Sequence, residues 1–363
     1  MRRHRPPAPL GPSAPPHPAR KGPARSGTAG ATTGTCGPPA AVCYLRVCNR
    51  SKDVTTAFES LEVATMSRPV TLGLDGSRES VAAADWAARE AELRGLPLRV
   101  VHVWEPLPYP LPPHTNAEVQ RHWAERIPRE ATEELAARHP DLEISRDQLR
   151  GHPAEVLPLV ADESELLVLG SRGLKGLTGF MVGSVGLSTA AHARRPVVLV
   201  RAGEQAGDEH RADAAGQAST ATPYKDVVLG LDLSNPSDEL LEFAFDTAAR
   251  RGTRLRVVHG WSLPLQGDLP DAAAVREAET GERRSSELAD ILRTWRQKFP
   301  GVEVEAQAVI GKPADHLLES GCDASLVVIG RRIRRSPVGT HLGSVAHAVL
   351  HHCSVPVAVV PHD

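Results

Sequence analysis

The chemistry of this chain concentrates in two glycine-serine clusters. In the first, Gly170-Ser171-Arg172-Gly173 is followed, after nine intervening residues, by Gly183-Ser184. The apolar run Leu166–Leu169 ahead of it predicts a strand, and Ser184 to about His192 predicts a helix. A glycine-rich turn from a strand into a helix suits a phosphate. The helix start offers unpaired amides and a positive dipole, and glycines allow close backbone approach and positive φ. Ser184 can cap the helix or give its hydroxyl to a phosphate oxygen. Arg172 and Lys175 add positive charge, and Gly176 and Gly179 keep the loop pliant. The second cluster is Gly330-Arg331-Arg332, then Gly343-Ser344-Val345, with Arg334 and Arg335 between them as further phosphate-gripping cations.

Other chemistry is less well supported. His102 and His259 occupy matching strand ends and read as hydrogen-bonded structural histidines rather than catalytic bases. His347, His351, His352 and Cys353 lie close together near the last helix, but a helix surface accounts for them and no metal is expected. There is no Gly-x4-Gly-Lys-Ser/Thr loop and no clear general base beside an activated nucleophile. Leu72-Gly73-Leu74-Asp75-Gly76-Ser77 is not the Gly-x-Gly-x-x-Gly of dinucleotide dehydrogenases.

The elements that must position these residues occur twice. Val70-Thr-Leu-Gly-Leu-Asp75 returns as Val227-Val-Leu-Gly230-Leu-Asp232, and Leu98-Arg-Val-Val-His102 returns unchanged at 255–259. Gly151-His-Pro-Ala, Gly183-Ser-Val185 and Arg195-Pro-Val-Val-Leu-Val return three residues later in register, as Gly311-Lys-Pro-Ala, Gly343-Ser-Val345 and Val355-Pro-Val-Ala-Val-Val. Two units follow, 66–202 and 223–363, joined by 203–222, whose Ala, Gly, Asp, Glu and Ser predict a flexible linker. Within the first unit, Val70–Leu74 reads as a buried strand and Ser77 as the cap of a helix ending at Gly95. Leu98–Trp104, Leu142–Leu149 and Pro196–Val200 read as further strands, with helices over about 117–138 and from Pro153 to about Glu163. Strands separated by helices predict a parallel, doubly wound α/β sheet in each unit. Trp86, Trp104 and Trp261 are expected to pack on the sheets.

The spacing Gly-x2-Gly-x9-Gly-Ser, Leu-Gly-Leu-Asp-Gly-Ser on the first strand and Val-His-Val on the second resemble the universal stress protein family over 66–363, in its tandem form. The resemblance implies two Rossmann-like domains, each with five parallel strands in the order 3-2-1-4-5. Its ligand cleft would lie where the strand order reverses. It implies ATP as ligand, with Mg²⁺ as a candidate companion. Asp75 would contact the adenosine part and Val103 would line the adenine pocket. Gly170, Gly173, Gly183 and Ser184 would hold phosphates, with Gly73 and Val185 beside them. In the second unit Gly230, Asp232, Gly330, Gly343, Ser344 and Val345 match. Ile333 replaces the second glycine and Gly260 replaces Val103, and Pro337 stiffens the loop. The second site is therefore expected to bind ATP more weakly or differently. The family's last strand mediates dimerisation, which implies a pseudo-twofold pairing of the two units within one chain, with a homodimer of chains also expected.

The chain has 363 residues, 41% hydrophobic and 24% charged, with a net charge of −2. That composition fits a globular protein and argues against nucleic acid as a partner. No apolar run is long enough for a membrane span. Five cysteines without a Cys-x-x-Cys pair argue against a disulfide framework and favour the cytoplasm. Residues 1–65 hold ten prolines, and nine Lys/Arg against three Asp/Glu, and read as a disordered extension, with Met66 as the alternative start. The leading functional expectation is an ATP-binding regulatory stress protein, not an enzyme, with an unidentified protein partner. Slow ATP hydrolysis and a nucleotide-free interaction scaffold are the alternatives.

Overall fold

The structure is a computed structural model that describes residues 67–105, 117–171, 182–262, 270–333 and 342–363. The 1–65 extension, Arg172, Gly173, Lys175, Gly176, Gly179, Arg334, Arg335 and Pro337 lie outside the described residues. The first repeat runs β1 (Val70–Gly73), α1 (Arg78–Arg94), β2 (Leu98–Trp104), α2 (Ala117–Arg138), β3 (Ile144–Arg150), α3 (Pro153–Asp162), β4 (Leu166–Ser171), α4 (Ser184–His192) and β5 (Val197–Arg201). The second runs β6 (Asp226–Gly230), α5 (Asp238–Arg251), β7 (Leu255–Trp261), α6 (Pro270–Lys298), β8 (Val304–Ile310), α7 (Pro313–Gly321), β9 (Ala324–Arg332), α8 (Ser344–His352) and β10 (Val357–His362).

Local chemistry sets these boundaries. The Ser77 hydroxyl accepts the Ser80 amide at 3.2 Å and starts α1, and Gly95 at φ 62° ends it. Ser237 and Gly252 do the same for α5. Strand β1 is buried along its whole length, as a strand covered on both faces must be.

Each repeat forms a parallel sheet in the order 3-2-1-4-5, as expected. The two sheets fuse into one of ten strands, β3-β2-β1-β4-β5-β10-β9-β6-β7-β8, mostly parallel. The junction is antiparallel, pairing Val357 with Leu199, Ala358 with Val198 and Val359 with Val197. The edge strand that each repeat would otherwise expose is satisfied inside one chain. Apolar layers cover both sheet faces, and each contains side chains from both repeats, for example Leu72 with Leu229 on one face and Leu199 with Val359 on the other.

A second contact between the repeats is charged. Arg94 and Arg251 hold equivalent positions at the ends of α1 and α5. Arg94 lies over the Phe243 ring, and Arg251 over the ring of Trp86, the residue equivalent to Phe243. Both arginines converge on Glu90, at 2.7 and 2.9 Å, and all three side chains are buried. Trp86 therefore serves the junction between repeats rather than the sheet of its own repeat alone.

The segment 203–222 departs from the expected flexible linker. Ala206–Glu209 forms a 3-10 helix, and His210 bridges to Tyr224. Glu209 is buried, accepts the Trp86 indole N–H at 2.5 Å and pairs with Arg89 at 2.9 Å. Its polar composition hides one buried residue with specific partners on α1.

Candidate functional site

The strand order reverses between β1 and β4, and again between β6 and β9, so the carboxyl ends of these strands frame a crevice in each repeat. In the second repeat this crevice is a cavity of about 430 Å³. All eight residues expected there line it: Gly230, Asp232, Gly330, Arg331, Arg332, Gly343, Ser344 and Val345. Gly260, Pro313, His259 and His362 also line it, with apolar side chains such as Leu240 and Leu317. In the first repeat Gly73 and Val103 lie at the ends of β1 and β2, Asp75 just beyond β1, Gly170 and Ser171 at the end of β4, and Gly183, Ser184 and Val185 at the start of α4.

Helices α4 and α8 open on Gly183 and Gly343 with no side-chain cap, so no serine claims their first amides. Ser184 is therefore the first helical residue rather than the cap, and it is exposed. A Cβ built at Gly183 or Gly343 meets nothing within 4 Å, which leaves room for a ligand oxygen against the amides. The expected positive φ does not occur at either residue; φ is −62° and −69°. Gly170 serves packing: its Cβ would fall 2.5 Å from the backbone of Glu79, at the start of α1.

Asp75 is exposed, and its Oδ1 accepts the Ser77 amide at 3.0 Å and the Ser77 hydroxyl at 2.6 Å. Burial pushes its carboxyl up, but these bonds outweigh it and hold the group below the usual aspartate range. Asp232 makes the same pair of bonds with Ser234, at 3.0 and 2.5 Å. Each aspartate keeps its other oxygen, Oδ2, out of this turn. His102 and His259 bond through Nδ1 to the carbonyls of Leu74 and Leu231, at 2.7 and 2.9 Å, as the structural reading expected. A carbonyl only accepts, so Nδ1 carries the proton. His259 Nε2 is then a buried acceptor without a partner, in the wall of the second cavity.

Several expected ligands have other work. The Ser171 hydroxyl donates to the Val200 carbonyl at 3.1 Å and is buried. The Arg331 guanidinium donates to the carbonyl of Ala193, at the end of α4 in the other repeat. Arg331 is 5% exposed and has no carboxylate partner among the described residues, and burial pushes its pKa down to about 10. Arg332 is exposed. Ile333 continues the β9–β10 ladder by donating its amide to the His362 carbonyl at 2.6 Å. At Gly260 a Cβ would lie 2.5 Å from Pro313 Cα, so the start of α7 takes the space that a side chain there would need.

The sequence reasoning did not single out His362 or Pro313. His362 stands over Gly330, its Nε2 2.8 Å from the position of a Cβ, where the first repeat has Ala202. Aligning the repeats one residue beyond the last strand would have exposed that difference. Among the described residues no cluster of three or more His, Cys, Asp or Glu could hold a metal ion. Asp232 is the only carboxylate among the described residues of the second cavity's wall, so a divalent cation there would depend on ligand phosphates for most of its oxygens. Among the same residues no helix is long and apolar enough to cross a membrane.

Comparison with known proteins gives the chain's family and fold. The sequence model of the universal stress protein family matches residues 66–201 and 223–361. A universal stress protein of Mycobacterium tuberculosis is 35% identical over 312 residues, covering 81% of this chain and 99% of that one. One from Mycolicibacterium smegmatis is 32% identical over 299 residues, covering 80% and 96%. The crystal structure of a universal stress protein from Archaeoglobus fulgidus shares the fold, with a TM-score of 0.59 at 19% identity over 82% of this chain and all of that one.

Proposed function

The chain belongs to the universal stress protein family, and from that premise we propose that it binds adenine nucleotide, with ATP as the preferred ligand, in both repeats. The observation that carries this reading is the second cavity, where all eight residues expected from the sequence form one wall. Its parts fit the pieces of a nucleotide. Uncapped amides of α8 and the open face of Gly343 suit phosphate oxygens. Asp232 suits ribose hydroxyls, and the unpartnered His259 Nε2 suits a hydroxyl or amino donor. The first repeat repeats the plan, with Val103 adding an apolar wall.

The nucleotide acts as a ligand that shifts the protein between partner-binding states, rather than as a substrate. The hydroxyl–carboxylate pairs at the crevices, Ser77 with Asp75 and Ser234 with Asp232, close local turns at the ends of β1 and β6. The protein works in the cytoplasm, and Mg²⁺ accompanies the phosphates. A homodimer of chains would need a surface other than β5–β10, which is already paired, and light scattering over a dilution series tests for one.

The test is the nucleotide content of purified protein after denaturation. We expect adenine nucleotide in the wild type, a larger loss in Asp75→Ala than in Asp232→Ala, and turnover far below ~1 s⁻¹. Equal losses would contradict the ranking of the sites. An empty protein that also ignores added ATP would leave the scaffold reading in its place.

A further inference from the structure

We propose that Arg331 couples the two nucleotide sites, so that filling the second weakens the first. This rests on the functional reading above, because it needs a ligand in each crevice. Arg331 belongs to two places at once. It directly follows Gly330 and lines the second cavity. Its guanidinium also reaches across to the Ala193 carbonyl, which closes α4. The N-terminus of α4, at Gly183-Ser184, is the candidate phosphate site of the first repeat.

The arrangement is partly reciprocal. Arg201, on β5 of the first repeat, donates to the carbonyls of Leu350 and Cys353 at 2.7 and 2.9 Å, at the end of α8. Each candidate phosphate helix therefore has its negative end held by an arginine of the other repeat, which favours the helix dipole. Arg331 in addition lines the second cavity.

Arg331 is the cation that a phosphate can recruit. It is nine-tenths buried, and among the described residues it has no carboxylate partner and its Nε has no hydrogen-bond acceptor. Arg94 and Arg251, two further cations held between the repeats, are fixed by Glu90. A phosphate at Ser344 offers Arg331 the charge partner it lacks, in a medium where such pairing is strong. Turning toward that phosphate takes the guanidinium from Ala193. Helix α4 then loses the cation at its negative end, and its N-terminal amides hold an anion less well. Linkage makes the effect mutual: ATP in the first site weakens the second by the same factor.

The test is calorimetric titration with Mg-ATP of the wild type, of Asp75→Ala and Asp232→Ala as single-site references, and of Arg331→Met. In the wild type we expect the stepwise affinities to fall three- to fivefold below the product of the single-site values, after the statistical factor. In Arg331→Met the two steps should become independent. Arg331→Lys, which retains a cation, serves if the methionine variant does not fold, and should reduce the coupling. A second readout follows α4 directly. In Asp75→Ala, ATP should speed amide exchange in the last turn of α4, and Arg331→Met should abolish that change. Independent sites in the wild type, or coupling unaltered in both Arg331 variants, would overturn the proposal. Failure of any variant to bind nucleotide would instead overturn the functional reading, and this inference with it.

Discussion

Gly170 and Gly183 belong to the same motif, but the structure gives them opposite tasks, and alanine substitution separates them. At Gly170 a Cβ would lie 2.5 Å from both the carbonyl carbon and oxygen of Glu79, and 2.7 Å from the Ser80 amide nitrogen. These are backbone atoms of a capped first turn, so none can swing aside. Relief requires α1 to move off β4, and overpacking of this kind costs ~2–3 kcal/mol. For a folded unit of this size that is a fall of ~3–5 °C in Tm. At Gly183 a Cβ meets nothing within 4 Å and φ is −62°, so Gly183→Ala should cost under ~1 kcal/mol. The same methyl would stand where a phosphate approaches the amides of α4, and first-site ATP affinity should fall at least ~10-fold, or about 1.4 kcal/mol. Thermal unfolding followed by circular dichroism, paired with ATP titration, measures both effects. A Gly170→Ala protein as stable as the wild type would refute the packing argument. A Gly183→Ala protein with undiminished affinity would refute the assignment of α4.

Other predictions follow from the buried charges. Arg251→Met should lower stability by ~1–3 kcal/mol, because it leaves Glu90 with Arg94 alone and Glu209 with Arg89 alone, and urea denaturation should show this in one transition for both repeats. Glu204 is pushed up to about 8 from an ordinary 4.5, first by burial and then by the Glu209 and Asp208 carboxylates. The unfolded chain therefore releases this proton near pH 4.5 and the folded one only near pH 8, so stability falls as pH rises between them. Glu204→Gln should flatten that slope and add ~1–3 kcal/mol at pH 8, after allowance for solvent screening; an unchanged pH profile would refute it. Asp75 has the opposite sign. Its lowered pKa adds stability above 3.8 that is lost as pH falls through the folded value, and Asp75→Asn should shift the acid unfolding limb.

Much of the fold was legible because its signals are local. Helices α2 and α4 and strand β2 carry the boundaries that periodicity, Pro and Gly predict. The duplication then placed the site, since aligned glycines and aspartates had to reach equivalent strand ends. What stayed hidden depends on partners far away in sequence. Arg331 sits in a run of arginines that reads as a solvated loop, yet its acceptor is Ala193. Glu209 sits in a polar linker, yet its partners are Trp86 and Arg89. Arg94 and Arg251 did offer a signal, a matched arginine at the end of each repeat's first helix. Their shared use of Glu90 appears only once the helices meet. The positive φ expected at the motif glycines was wrong at Gly183 and Gly343 because the helix start itself, not a left-handed turn, presents the amides there.

The measurement that bears most directly on the account is calorimetric titration of nucleotide-stripped protein with Mg-ATP. Two binding events per chain, with the tighter abolished by Asp75→Ala and the weaker by Asp232→Ala, are the predicted result. No heat and no displaceable nucleotide at millimolar ATP would contradict it, and would make both glycine-rich crevices turns of the fold rather than binding sites.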